Sequence, residues 1–120
     1  MRRILVAGLV LAASQVSAQT PGERVFQQCF ACHSVDKAEA GLPGPNLAGV
    51  VGRRAGREAG FDYSPAMKEA AAGGLTWTPE TLDRFLTDPE QVVPKTSMHW
   101  FGLKDPAERA AVIGYLREKP

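Results

Sequence analysis

Cys29-Phe30-Ala31-Cys32-His33 holds the only two cysteines of this 120-residue chain, with a histidine directly behind the second. Three common uses of a cysteine pair fit poorly. A disulfide across so short a loop would constrain the unfolded chain little. A thioredoxin-like redox pair needs a strand–helix–strand setting, and no β-rich segment precedes this one. A structural zinc site needs four ligands, and the only other histidine, His99, is far along the chain. A fourth use accounts for every residue of the motif. Two thiols one helical turn apart can each add to a vinyl group of a haem, and the next histidine then sits where its imidazole can bind the iron. The stretch therefore predicts one covalent haem c, attached at Cys29 and Cys32, with His33 as an axial iron ligand.

Toward the N-terminus, Arg2 and Arg3 make a short basic start and Ile4 to Ala13 is an apolar run. Val16 and Ala18 stand where an A-x-A-like cleavage site needs small residues. The run is shorter than the roughly 20 residues that span a bilayer. Residues 1–18 are expected to be a cleaved signal peptide and residues 19–120 a single domain in the bacterial periplasm; an uncleaved anchor is the competing reading. The chain has 14 Lys and Arg against 13 Asp and Glu, and losing Arg2 and Arg3 leaves 12 basic residues and a net charge of −1. A nucleic-acid binder would show a basic excess. Twelve Gly and nine Pro imply a loop-rich fold with a modest core that needs a staple. Burying a porphyrin at about 25 cal/mol per Å² supplies on the order of 10 kcal/mol.

Toward the C-terminus the chain reads as short helices between long loops. Gly22 to Ala31 is expected to form the first helix, with Val25, Phe26 and Cys29 on one side. Residues 34–63 should be loop. Ser64-Pro65 starts a helix that runs to about Ala72 and stops at Gly73-Gly74. Thr78-Pro79-Glu80 starts another, with Leu82, Phe85 and Leu86 as its apolar face and Pro89 as its end. A loop from Asp88 to Leu103 carries Met98. Asp105-Pro106-Ala107-Glu108 opens the last helix, whose face of Val112, Tyr115 and Leu116 is expected to cross Val25 and Phe26. No strand is convincing. The predicted fold is all-α, about four short helices and long loops wrapped around one covalent haem.

The sixth position of the iron decides the chemistry. An open site would suit gas binding or peroxide; a second side chain would suit electron transfer. Met67, Met98 and His99 are the candidates. Met67 lies inside a helix and reads as core. Met98 sits in a loop without helical spacing, where a soft thioether can fold over the haem. His99 would also bind well, and neighbours in an extended loop point in opposite directions. The residue chemistry leaves Met98 and His99 both open.

Ordered matches then extend across the domain. They include Gly22, Phe26 and the cysteine motif; Gly44-Pro45-Asn46-Leu47 with Gly49, Gly52 and Arg53; Gly60-Phe61-Asp62-Tyr63; Leu75-Thr76-Trp77; Leu86 and Pro89; Pro94-Lys95-Thr96-Ser97-Met98; and Tyr115-Leu116. In these the chain resembles the class I cytochromes c, the mitochondrial type and its periplasmic bacterial relatives. The resemblance implies that Met98 is the second iron ligand. It implies that the Pro45 carbonyl accepts a hydrogen bond from His33, that Arg53, Tyr63 and Trp77 reach the haem propionates, and that Thr96 supports the methionine loop.

The implied function is electron transfer rather than enzymatic catalysis. Its protein partners would be a cytochrome bc complex or a dehydrogenase as donor, and an oxidase, reductase or reaction centre as acceptor, with the carrier a monomer. A dedicated haem subunit of a periplasmic dehydrogenase and a haem protein with an open sixth site are the rival readings. Two departures stand out. Phe85 replaces a family tyrosine, and Gln28, Glu90, Gln91 and Ser97 stand where lysines are common, leaving mainly Lys104 and Lys95. That implies weak electrostatic steering toward partners.

Overall fold

Five of the nine prolines follow directly on a Thr, Ser or Asp, and each such pair starts a helix. A computed structural model describes Leu5, residues 7–15 and residues 17–120. Its helices are α1 (Pro21–Phe26), α2 (Pro65–Ala72), α3 (Pro79–Thr87), α4 (Pro89–Val92) and α5 (Pro106–Arg117). In every case the residue before the proline accepts a backbone N–H of the first turn through its side-chain oxygen. Proline at the first position has no N–H to orphan and a φ already suited to a helix.

Two elements differ from the sequence expectation. The first helix ends at Phe26, not Ala31. Beyond it the chain tightens into turns, with Gln28 N–H donating to Val25 O at 3.1 Å and Cys29 N–H to Phe26 O at 2.8 Å. The second difference is α4, one helix more than the four expected. Asp88 ends α3 and caps α4 through its carboxylate, which accepts from Glu90 N–H. The Asp-Pro pair read as a stop is also a start.

Among the described residues there is no strand, only an isolated bridge between Arg54 and Thr76. α1 crosses α5, as expected. A Cβ on Gly22 would lie 2.5 Å from Ala111 O and 2.6 Å from Tyr115 Cβ, so only glycine permits this approach. Just beyond the crossing, the Phe26 and Tyr115 rings sit 5.3 Å apart. α3 packs on α5 and α4. The core runs from Val25 and Phe26 through Leu82, Phe85 and Leu86 to Val112 and Leu116. α2 buries no residue completely and lies on the surface.

The long loop is tied to this frame by its backbone. Gly52 N–H donates to Trp77 O at 2.7 Å, Trp77 N–H to Arg53 O at 2.9 Å and Ala55 N–H to Leu75 O at 2.9 Å. Gly49 N–H reaches Lys119 O at 2.7 Å. A buried guanidinium fastens the other side. Arg109 of α5 donates from Nε to Asp83 of α3 at 2.7 Å, and from Nη1 to the carbonyls of Leu103 at 2.9 Å and Lys104 at 3.2 Å.

Of the segment expected to be a leader, Leu5, Leu9, Val10 and Leu11 are exposed and outside the core. Arg2, Arg3, Ile4 and Val16, on which part of the signal-peptide expectation rests, lie outside the described residues. Among the described residues, no helix is long and apolar enough to cross a membrane.

Candidate haem site

The motif behind α1 closes as one turn. Cys29 O accepts from Cys32 N–H at 3.1 Å and from His33 N–H at 2.9 Å, and Gly44 N–H donates to Cys32 O at 2.8 Å. His33 is buried, and its Nδ1 lies 2.7 Å from the Pro45 carbonyl. A carbonyl only accepts, so Nδ1 carries the proton and Nε2 keeps the lone pair that a metal uses. Burial lowers the His33 pKa and so favours the neutral ring, against a smaller opposing effect of the Pro45 bond. Gly44 completes the cradle, because a Cβ there would run into the imidazole.

Of the two cysteines, Cys29 is half-buried and Cys32 exposed. Burial first, and the neighbouring Cys32 thiol second, push the Cys29 thiol up to about 11. Before haem is attached it is therefore a protonated thiol at neutral pH, which suits neither a metal thiolate nor rapid disulfide exchange.

The methionine loop is built on Val93, which is fully buried. Thr96 N–H donates to Val93 O at 3.1 Å across Pro94 and Lys95. Lys95 has φ 63°, the left-handed value that this kind of turn requires after a proline and that glycine ordinarily supplies. Thr96 is buried, and its Oγ1 accepts from Met98 N–H at 3.2 Å. Met98 packs against the core while His99 is exposed, so the loop turns the thioether inward and the imidazole outward. Met67, on α2, packs against the core as expected. The loop returns through Gly102, where a Cβ would collide with the carbonyls of Leu86 and Thr87. Leu103 N–H then donates to Leu86 O at 2.7 Å.

Two of the three expected propionate partners, Arg53 and Tyr63, are joined through Glu58, and Trp77 meets Arg53 through its backbone alone. Arg53 donates to the carbonyls of Ala48 at 3.1 Å and Asn46 at 3.0 Å, and to Glu58 Oε2 at 2.9 Å. The Tyr63 hydroxyl accepts from Glu58 N–H at 3.0 Å. Burial raises the Tyr63 pKa most, with lesser and partly opposing effects of the Glu58 bond and the Arg53 and Glu58 charges. Trp77 is buried with its ring 4.9 Å from Phe85.

Each expected residue thus falls into one of three groups: Cys29, Cys32, His33 and Pro45; Thr96 and Met98; and Arg53, Tyr63 and Trp77. The sequence reading missed Glu58, which joins Arg53 to Tyr63, and Arg109, which holds the end of the methionine loop. Neither stands in a motif. Only their side-chain geometry reveals them.

Among the described residues, no three His, Cys, Asp or Glu side chains gather as they would around a bare metal ion. One imidazole nitrogen and one thioether suit a metal that brings its own equatorial ligands, as haem iron does. The family model for cytochrome c matches residues 19–119. The chain belongs to the cytochrome c family.

Among similar proteins, cytochrome c2 of Rhodomicrobium vannielii is 47% identical over 112 residues, covering 92% of this chain and 87% of that protein. Cytochrome c2 iso-2 of Magnetospirillum fulvum is 50% identical over 92 residues, covering 77% of this chain and 92% of that one. Cytochrome cH from Methylobacterium extorquens shares the fold with a TM-score of 0.75 at 40% identity, covering 82% of this chain and 96% of that one. Cytochrome c2 from Rhodospirillum centenum gives a TM-score of 0.74 at 35% identity, over 84% and 98% of the two chains. The all-α cytochrome c fold expected from the sequence is therefore the fold observed. As a cytochrome c the chain carries covalently bound haem c with its iron, and Cys29 and Cys32 fit the attachment motif. It is a haem electron carrier.

Proposed function

We propose that this cytochrome c is a periplasmic one-electron carrier, with Cys29 and Cys32 as the thioether anchors and His33 and Met98 as the axial ligands. The bound haem supplies an iron that cycles between Fe(II) and Fe(III). The observation that carries the ligand assignment is the 2.7 Å bond from His33 to Pro45, which fixes the ring and its tautomer. Thr96 supports Met98 through the hydroxyl that accepts its N–H. Holding both side chains rigidly keeps reorganisation small when the oxidation state changes.

Arg53, Tyr63 and Trp77 would hold the propionates of a bound haem and so supply partners for their charge. Val93, Leu86 and Phe85 exclude water from the interior. Phe30 and Ala31 are exposed and Trp100 is half-exposed, and these three residues would border the edge through which a bound haem exchanges electrons. The donor is a cytochrome bc complex or a dehydrogenase, and the acceptor an oxidase, reductase or reaction centre. Gln28, Glu90, Gln91 and Ser97 are all exposed, which supports weak charge steering and a shallow salt dependence of the transfer rate.

The deciding experiment is a visible spectrum, in both redox states, of protein expressed with periplasmic haem attachment, together with its intact mass. A low-spin spectrum with a thioether-to-iron charge-transfer band, and the mass of a chain starting at Gln19 plus one haem, are expected. Colourless protein with two alkylatable thiols would reject the proposal.

A further inference from the structure

Arg53 differs from Tyr63 and Trp77 in that its charge is already met by the chain itself. Its Nη1 lies 2.9 Å from Glu58 Oε2. Three of its five N–H donors go to Glu58 and to the Ala48 and Asn46 carbonyls. Two remain for another acceptor. Glu58 is held at both ends, its carboxylate on Arg53 and its backbone N–H on the Tyr63 hydroxyl. That hydroxyl accepts from Glu58 and keeps its own proton to donate. The Arg53 and Glu58 side chains are 19% and 30% exposed, so the pair is shielded from solvent far more than an ordinary surface ion pair.

We propose that Glu58 tunes the haem potential, as an additional carboxylate that shares Arg53 with the acidic edge of the haem and holds the iron potential down. The inference rests on the reading of Arg53 and Tyr63 as propionate partners. A carboxylate held beside the propionate partners would favour the more positive Fe(III) state of a bound haem by Coulomb attraction. By engaging the guanidinium, it also reduces the positive charge that Arg53 presents to a propionate. Both effects have the same sign. The charged and titratable groups that face Glu58 among the described residues are Arg53 and Tyr63. Arg54 and Arg57 lie on the same loop, and Asp62 pairs with Lys68 of α2 at 3.6 Å on the exposed side.

Glu58→Gln separates charge from structure. The amide oxygen still accepts from Arg53, and the backbone bond to Tyr63 is untouched. At pH 7 the Fe(III)/Fe(II) equilibrium of E58Q should move about threefold toward Fe(II), roughly 28 mV upward at 59 mV per decade for one electron. Glu58→Asp keeps the charge and should stay near the parent value. E58Q should keep the parent's far-UV spectrum and melting temperature while its potential moves, which a packing defect would not reproduce. Coincident spectroelectrochemical curves for E58Q and the parent, or a shift of the same size in E58D, would overturn the proposal. Tyr63→Phe is the control for the reading beneath it. A potential shift in Y63F without one in E58Q refutes the role of Glu58 and leaves the propionate assignment standing; no shift in either removes both.

Discussion

Replacing Arg109 by Met tests whether the buried guanidinium fastens the methionine loop to the helices. Its side chain is 11% exposed, and Met preserves much of the aliphatic stem's packing. The lost ion pair counts for little, because Asp83 is 47% exposed and turns to water; such a pair is worth about 1 kcal/mol or less. The Leu103 carbonyl is another matter. It belongs to a residue only 4% exposed, and an unpaired buried acceptor costs about 1–3 kcal/mol. Lys104 is exposed and its carbonyl takes a water. Together the change should cost about 1–4 kcal/mol, which for a domain of this size lowers the Tm by roughly 4–30 °C. Melts of the haem-loaded protein should be followed by far-UV circular dichroism and by the thioether-to-iron band. Leu103 closes the loop that bears Met98, so in the variant the band should fade before the helices melt. A Tm drop below about 3 °C, with both signals melting together, would refute the reasoning.

Met98→Ala should abolish the thioether-to-iron band and lower the midpoint potential strongly; an unchanged spectrum would show that another group binds the iron. Gly44→Ala places a methyl against the His33 ring and should cost about 1–3 kcal/mol, the usual range for overpacking, read as a lower denaturation midpoint and a perturbed imidazole resonance. Tyr63 titrates above its ordinary value of 10 in the folded protein, chiefly through burial. Its contribution to stability is therefore full below pH 10 and is lost as the pH rises through the folded value, so Y63F should flatten the fall of stability in strong alkali. Ring-labelled tyrosine NMR, with denaturant melts across that range, checks this.

Helix starts were legible because a capping side chain and a proline act within one turn. Ser64-Pro65, Thr78-Pro79 and Asp105-Pro106 all mark helices, and Thr20-Pro21, which the reading from Gly22 passed over, marks a fourth. Asp88-Pro89 carries the same signal but follows a helix directly, so a boundary hid a start. The early end of α1 was not legible, because the turns that bring Cys29 and His33 together depend on the Gly44-Pro45 segment folding onto them. The His33 environment could be anticipated from the ordered motifs around it. Glu58 and Arg109 could not. Their partners lie 5 and 26 residues away by hydrogen bonds that no periodicity records. Phe101, 94% exposed beside the half-exposed Trp100, was likewise unremarkable in the sequence.

The crossing of the first and last helices also dictates an order of assembly. Gly22, Val25 and Phe26 have no wall to lean on until Ala111 and Tyr115 arrive from the far end of the chain. A polypeptide emerging N-terminus first therefore displays its sulfur pair on open backbone, reachable by whatever machinery delivers porphyrin. In the completed fold one of those sulfurs is half-covered and the other still faces solvent, so folding narrows access to the pair without sealing it.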